Sequence, residues 1–216
     1  RYSPAVARLQ SYVWIVFGVL YIPIQLKTIA SIIQIVLPGM STALAMVIGV
    51  TIAAIYTGFA GMKGAASIGK VVCVATYILL IGFVMINLGQ FDGYSGLISQ
   101  LPQGYDKLTA MPIQEIVAWG LGGLLSSVVL QSALQPMLAA KDDKTARNGC
   151  ILGYIISAPI CILTAIIGMM ARARTADLGD GATAFAWAIK DMSSPLVAGI
   201  IFAVCTMIIA ATMATM

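Results

Sequence analysis

The 216-residue chain is 60% hydrophobic and 9% charged, with a mean hydropathy of +0.99 and a formal net charge of +4, whereas soluble domains carry roughly 25% charged residues. That balance excludes a soluble-style core and marks a membrane chain. Histidine is absent, and Cys73, Cys150, Cys161 and Cys205 lie in or at the ends of apolar stretches without C-x-x-C spacing, so packing is their expected role and a zinc site or histidine-based catalysis is close to excluded.

Six apolar stretches approach or exceed the roughly 17 to 25 residues a helix needs to cross the hydrocarbon core. They cover about residues 9–36, 41–60, 69–89, 113–136, 149–170 and 195–216. Their length and lack of alternation favour helices over barrel strands, so the expected fold class is an all-α membrane protein with six transmembrane helices in one transporter-like domain, 1–216. The chain runs from Arg1 straight into a full span and stops at Met216 within another. We therefore expect an internal piece of a longer protein, whose partners are the lipid bilayer and the missing flanking helices of the same chain.

In the first span Tyr21, Gln25, Thr28 and Ser31 are spaced by four, three and three, which puts them on one helical face. Such a face is expected to look into a bundle or cavity, because uncompensated polar groups are unfavourable against lipid. Pro23 is expected to kink the helix. Lys27 is two residues from Gln25 and so points elsewhere; a membrane lysine is a functional candidate, with snorkelling or a local polar partner as the alternative. The second and third spans are expected to be separated near Lys63 and Gly69.

Residues 90–112 contain Asp92-Gly93, Leu101-Pro102 and Met111-Pro112 and read as an ordered external loop without a span. The fourth span carries Gly120, Gly122 and Gly123, then Ser126, Ser127 and Gln131. Three glycines and several polar groups in mid-membrane are expected where a helix breaks to form a substrate site; close packing of small residues against a neighbouring helix is the alternative. Residues 181–194 combine Phe185, Trp187 and Ile189 with Lys190 and Asp191, the pattern of a short interfacial helix. Pro195 then opens the last span, where proline is tolerated. That span ends with Ala211, Ala214 and Thr215 on one face, a fragment of an oxygen-lined sodium site in which Ala211 offers its carbonyl and Thr215 its hydroxyl; threonine bonded to the preceding turn is the alternative.

If the spans alternate sides, one set of loops holds seven basic residues (Arg1, Arg8, Lys63, Lys70, Lys141, Lys144 and Arg147) against Asp142 and Asp143. The opposite set holds Lys107, Arg172, Arg174 and Lys190 against six acidic residues. The positive-inside rule makes the first set, and the residue 1 end, cytoplasmic. The positive charge thus follows from topology, and no nucleic-acid partner is expected.

Three motifs lie in order on successive spans: "IYTGFAGMKGA" (Ile55 to Ala65), "QPMLAAKDDKTAR" (Gln135 to Arg147) and "AATMAT" (Ala210 to Thr215). Together they resemble the sodium:solute symporter family, whose patterns are Tyr-Thr-x-x-Gly-Gly-x-x-Ala, Gln-Arg-x-Leu-Ala-Ala-Lys-Asp and Ala-Ala-x-Met-Ser-Thr; the second is the most specific match. The resemblance covers essentially the whole chain. It implies the five-plus-five inverted-repeat fold, with these spans as core helices three to eight and a first broken helix lying before Arg1. It also implies that Gly120 to Gln131 is the discontinuous helix of the second repeat.

From this resemblance the expected function is secondary transport at the plasma membrane, in a multi-pass chain that carries a small polar solute inward with sodium ion as transported cargo. Tyr21, Gln25, Gly123, Ser126, Ser127 and Gln131 are the expected solute-binding residues, and Ala211 with Thr215 the sodium-binding pair. The chain departs from the family at Ala214, where a serine hydroxyl is usual, at Ile68-Gly69, where Thr-Asp is usual, and at Pro136, where arginine is usual. Proton coupling, or a symporter-like sensor domain of a signalling kinase, are the alternatives these departures leave open. Gly123, Ser126 and Ser127 stand where the sugar-transporting branch has bulky aromatic and amide side chains, which favours an amino acid, short carboxylate or vitamin-like acid. No span carries an acid/base or nucleophile pair, so an enzyme is not expected.

Overall fold

A computed structural model describes residues 3–105, 107, 111–129, 137–178 and 181–214, with the backbone alone for 7, 53, 56, 57, 59–68, 126–129, 182 and 211–214. Every regular element among the described residues is helical. Helix α1 spans Pro4–Val36. The Ser3 hydroxyl accepts from the Val6 amide at 3.4 Å and Pro4 occupies the first turn, so both residues favour starting the helix here. The helix continues through Pro23.

The chain reverses at Pro38-Gly39, where Gly39 takes φ +97, a conformation that disfavours any side chain. Gln34 ties the turn together, its Nε2 donating to the Met40 carbonyl and to Thr42 Oγ1, both at 3.0 Å. Helix α2, Thr42–Leu88, begins there. Ile29, Ala30 and Ala45 are wholly buried, and a Cβ added at Gly49 would lie 3.0 Å from Ile29 Cγ2. Ala45 and Gly49 are four apart and share a face, so the pair lets α1 and α2 approach as small-xxx-small interfaces do. Gly49→Leu should therefore lower the unfolding midpoint in mixed detergent by an amount equivalent to about 1–3 kcal/mol, with Gly49→Ala losing much less. An unchanged midpoint for the leucine variant would show that the helices do not meet at this position.

The expected turn between the second and third spans is absent: α2 is one helix of 47 residues. Residues 55–70 contain glycines and Lys63 but no proline. Glycine costs a helix only about 1 kcal/mol per site, and the backbone there keeps its internal hydrogen bonds, so nothing in this stretch compels a break.

After Leu88 a 3-10 turn, Gly89–Phe91, leads through Asp92 (φ 57) and Gly93 (φ +84) into α3, Gly93–Ser99. Two successive left-handed residues reverse the chain sharply enough to fold α3 back on the turn. Helix α4 spans Ile113–Val129 and α5 spans Asp143–Arg174. A 3-10 turn at Gly181–Thr183 precedes α6, Ala184–Met192, and α7 is Pro195–Ala214. The short α6 falls within the interfacial segment read from residues 181–194, and Pro195 opens α7 as expected.

Asp142 caps α5, a role the sequence reading missed: its Oδ1 accepts from the Thr145 amide at 2.6 Å. Hydrogen bonding from Thr145, through its side chain and its backbone, holds the Asp142 carboxyl below its ordinary range. A group whose pKa is depressed on folding stabilises at neutral pH, and that contribution is lost as the pH falls through the folded value. Asp142→Ala should thus speed amide exchange at Thr145 at neutral pH, and acidification of the wild type should lower the protection of that amide relative to its intrinsic rate at the same pH. If Thr145 exchanges at one rate in both proteins, the cap contributes nothing.

The chain divides into two compact units, Arg1–Val72 with Phe202–Met216, and Cys73–Ile201. In the first, the core lies around Ile29, Ala30, Ala45, Phe202 and Ala210. In the second, the end of α5 (Ile167, Met170 and Ala171, all wholly buried) packs against α3 and α6, which contribute Leu97, Ala188 and Ile189. Among the described residues, three helical stretches are long and apolar enough to cross a membrane: Pro4–Val36, Gly69–Phe91 and Asp143–Arg174. Shorter apolar stretches among the described residues, Thr42–Ile52 within α2, Ile113–Leu125 within α4 and Pro195–Ala210 within α7, lie at the other expected spans.

Candidate functional site

The polar stripe of α1 satisfies itself. Gln25 Nε2 donates to the Tyr21 hydroxyl at 2.7 Å, the Thr28 hydroxyl donates to the Ile24 carbonyl at 3.1 Å, and the Ser31 hydroxyl to the Lys27 carbonyl at 2.9 Å. Back-bonding of this kind is how hydroxyl residues tolerate apolar surroundings, so Thr28 and Ser31 need no cavity. Tyr21 and Gln25 remain half-buried with spare hydrogen-bonding capacity: the Gln25 carbonyl can accept and the Tyr21 hydroxyl can donate. An aromatic ladder holds the tyrosine, with Phe17 stacked on Tyr21 at 5.4 Å and Trp14 edge-on to Phe17 at 5.5 Å. The structure thus brings together Tyr21 and Gln25 from the expected solute-binding set. Lys27 is exposed.

Helix α4 is unbroken from Ile113 to Val129, so the expected discontinuity of Gly120 to Gln131 does not lie at its glycines; the end of that stretch, from residue 130, lies outside the described residues. Among the described residues these glycines pack against nothing: a Cβ at Gly120, Gly122 or Gly123 would meet no atom of them within 4 Å, and every side chain from Ile113 to Leu125 is exposed. Unwinding would strand several amides and carbonyls, at a cost above the glycine penalty, so the helix persists. Gly120, Gly123 and Ser127 fall at i, i+3 and i+7 and share a face. The side chains of Ser126 and Ser127, and all of Gln131, lie outside the described residues. Ala211 belongs to α7 by its backbone, and Thr215 lies outside the described residues.

Comparison with family models, curated proteins and solved structures yields no match. The site must therefore be argued from the residues themselves.

One polar cluster was not legible in the sequence. Arg174, at the end of α5, donates to Gln90 Oε1 and lies over the Phe91 ring at 5.8 Å. Gln90 Nε2 donates to Asn87 Oδ1 at 3.0 Å, and the buried Asn87 donates to the Phe83 carbonyl at 2.9 Å. Arg174 also belongs to the last turn of its own helix, where a cation is favoured. This chain of bonds clamps α5 to the end of α2. Tyr77 adds a second tie between the same helices, its hydroxyl donating to the Ile156 carbonyl, next to the residue whose carbonyl loses its partner through Pro159.

Proposed function

We propose that this chain belongs to a multi-pass plasma-membrane secondary transporter that moves a small polar solute inward with sodium. The observation that carries the reading is the order of three symporter-like motifs along the apolar helices. Ile55 to Ala65 falls within α2, the Lys-Asp-Asp-Lys-Thr-Ala-Arg segment runs into the capped start of α5, and Ala210 to Ala214 ends α7. The half-buried Tyr21–Gln25 pair supports it further, as a hydrogen-bonded polar group held by aromatic stacking within an otherwise apolar helix.

On this reading the glycines of α4 serve by the room they leave. Gly120, Gly123 and Ser127 form a strip along which a solute approaches the helix closely, and Ser126 and Gln131 supply polar groups beside it. Sodium is bound by oxygens, the Ala211 carbonyl and the Thr215 hydroxyl, as a hard cation requires. Gln25→Leu should raise the solute concentration for half-maximal uptake about tenfold, as expected when one hydrogen bond of about 1.4 kcal/mol to a bound polar solute is lost. Unaltered uptake would remove Gln25 from the solute path.

The reading is tested in cells producing the full chain, by comparing uptake of labelled small amino acids, carboxylates and sugars in sodium medium with uptake in choline medium. Uptake of at least one solute should collapse in choline. Equal uptake in both media for every solute taken up would contradict sodium coupling.

A further inference from the structure

The last turn of α5 carries two arginines two residues apart, so they leave the helix roughly 200° apart. Arg174 is committed to Gln90 and Phe91. Arg172 lines a pocket of about 330 Å³, with Tyr105, Gly168, Thr175, Asp177 and Leu178 among its walls. The helix end that carries it is firmly seated: Met170 and Ala171 are wholly buried, and the Thr175 amide donates to the Ala171 carbonyl at 3.0 Å. The loop that closes the pocket is shaped by the Thr175 hydroxyl, which donates to the Asp177 carbonyl at 3.3 Å.

Arg172 is half-buried, and among the described residues it is in no ion pair. A partly desolvated guanidinium without a counter-ion is unfavourable, and a carboxylate received as a two-pronged pair relieves it. Asp177 lines the same pocket with the opposite charge, and a carboxylate accepts several donors at once. Among the described lining residues one positive and one negative side chain thus face the same space, which disfavours a simple anion and fits a ligand carrying both charges. Gly168 and Leu178 leave room and apolar surface for a modest side chain, and the volume is at the lower end of small-molecule pockets. We infer that this pocket binds a zwitterionic α-amino acid with a small apolar side chain, its carboxylate on Arg172 and its ammonium on Asp177. The pocket's use as the outer receiving point for the transported solute rests on the transport reading; the binding itself does not.

The test uses the full chain in detergent without sodium, treated with phenylglyoxal, which modifies free guanidinium groups. Mass spectrometry follows modification of the peptide bearing Arg172, with exposed Arg147 as the internal reference. A pool of L-alanine, L-valine and L-leucine should slow modification of Arg172 alone, by about fivefold when the pool is at about four times its dissociation constant. Propionate or isopropylamine should protect far less, and Asp177→Asn should erase the preference for the amino acids over propionate. Equal rates with and without the pool overturn the inference, as does equal protection by propionate. Protection without solute-stimulated sodium influx would remove the transport reading and leave the pocket, whereas sodium influx without protection would do the reverse.

Discussion

Gly96→Val should unseat α3 from the second unit, the largest structural effect expected among the glycines whose surroundings are described. A Cβ built at Gly96 would stand 1.9 Å from the Phe91 carbonyl oxygen and 3.0 Å from its carbon. The obstructing atom is backbone, so no rotamer change relieves it, and the 3-10 turn at Gly89–Phe91 would have to open. Overpacking typically costs about 1–3 kcal/mol, and an immovable neighbour puts this substitution at the upper end. The consequence spreads, because α3 seats the wholly buried Leu97 and the turn positions Gln90 and Phe91 beneath Arg174. Amide exchange over residues 89–99 should accelerate strongly in the variant, and exchange near Arg174 should rise with it. Gly96→Ala should produce most of the effect, since the clash begins at Cβ. Wild-type exchange in both variants would mean that α3 does not lie back on the turn as described.

Thr215→Ala should raise the sodium concentration needed for half-maximal solute uptake about tenfold or more. The proposed site already has Ala214 where a second hydroxyl is usual in the family it resembles, so Thr215 is its one side-chain oxygen in the Ala-Thr pair. Removing an interaction with a charged group costs about 1.5–3 kcal/mol, and each 1.4 kcal/mol corresponds to a tenfold change in affinity. Thr215→Ser keeps the hydroxyl and should retain most of the sodium affinity, which separates loss of the ligand from loss of packing. An unchanged sodium requirement in the alanine variant would remove Thr215 from the ion site. It would also leave the Ala211 carbonyl without the partner that makes it a candidate.

Much of the helical plan was legible because it depends on local chemistry. Pro195 marks a helix start through the properties of a single residue, and a short helix within residues 181–194 was expected from apolar residues beside Lys190 and Asp191. The polar stripe at Tyr21 and Gln25 was legible as a face, since helical spacing alone fixes which residues are neighbours. That Thr28 and Ser31 would bond their own carbonyls instead of facing a cavity depends on rotamers the spacing does not specify. Gly120 to Gly123, read as a break, and the stretch before Gly69, expected to separate two spans, both remained helical. In each, the intrinsic preference of about 1 kcal/mol per glycine was weaker than the hydrogen bonds that unwinding would forfeit.

What escaped the sequence reading depends on distant residues. Arg174 and Gln90 are 84 positions apart, as Tyr77 and Ile156 are 79 apart, and nothing local to either partner announces the other. The Arg172 pocket is invisible for the same reason, because its walls come from Tyr105 and from the loop after α5. One signal was present: two basic residues in the last turn of an apolar helix exceed what favourable alignment with the helix dipole requires, and each needed an account. Asp142 also carried a readable sign, as an aspartate three residues before Thr145 at the head of an apolar helix, where side-chain capping is common.

The most direct measurement is radiosodium influx into proteoliposomes containing the full chain, with and without a mixed pool of small amino acids, carboxylates and sugars outside. The account predicts that the pool stimulates sodium influx and that Thr215→Ala shifts this stimulation to higher sodium. Sodium influx that is the same with and without the pool would contradict sodium-coupled symport of those solutes.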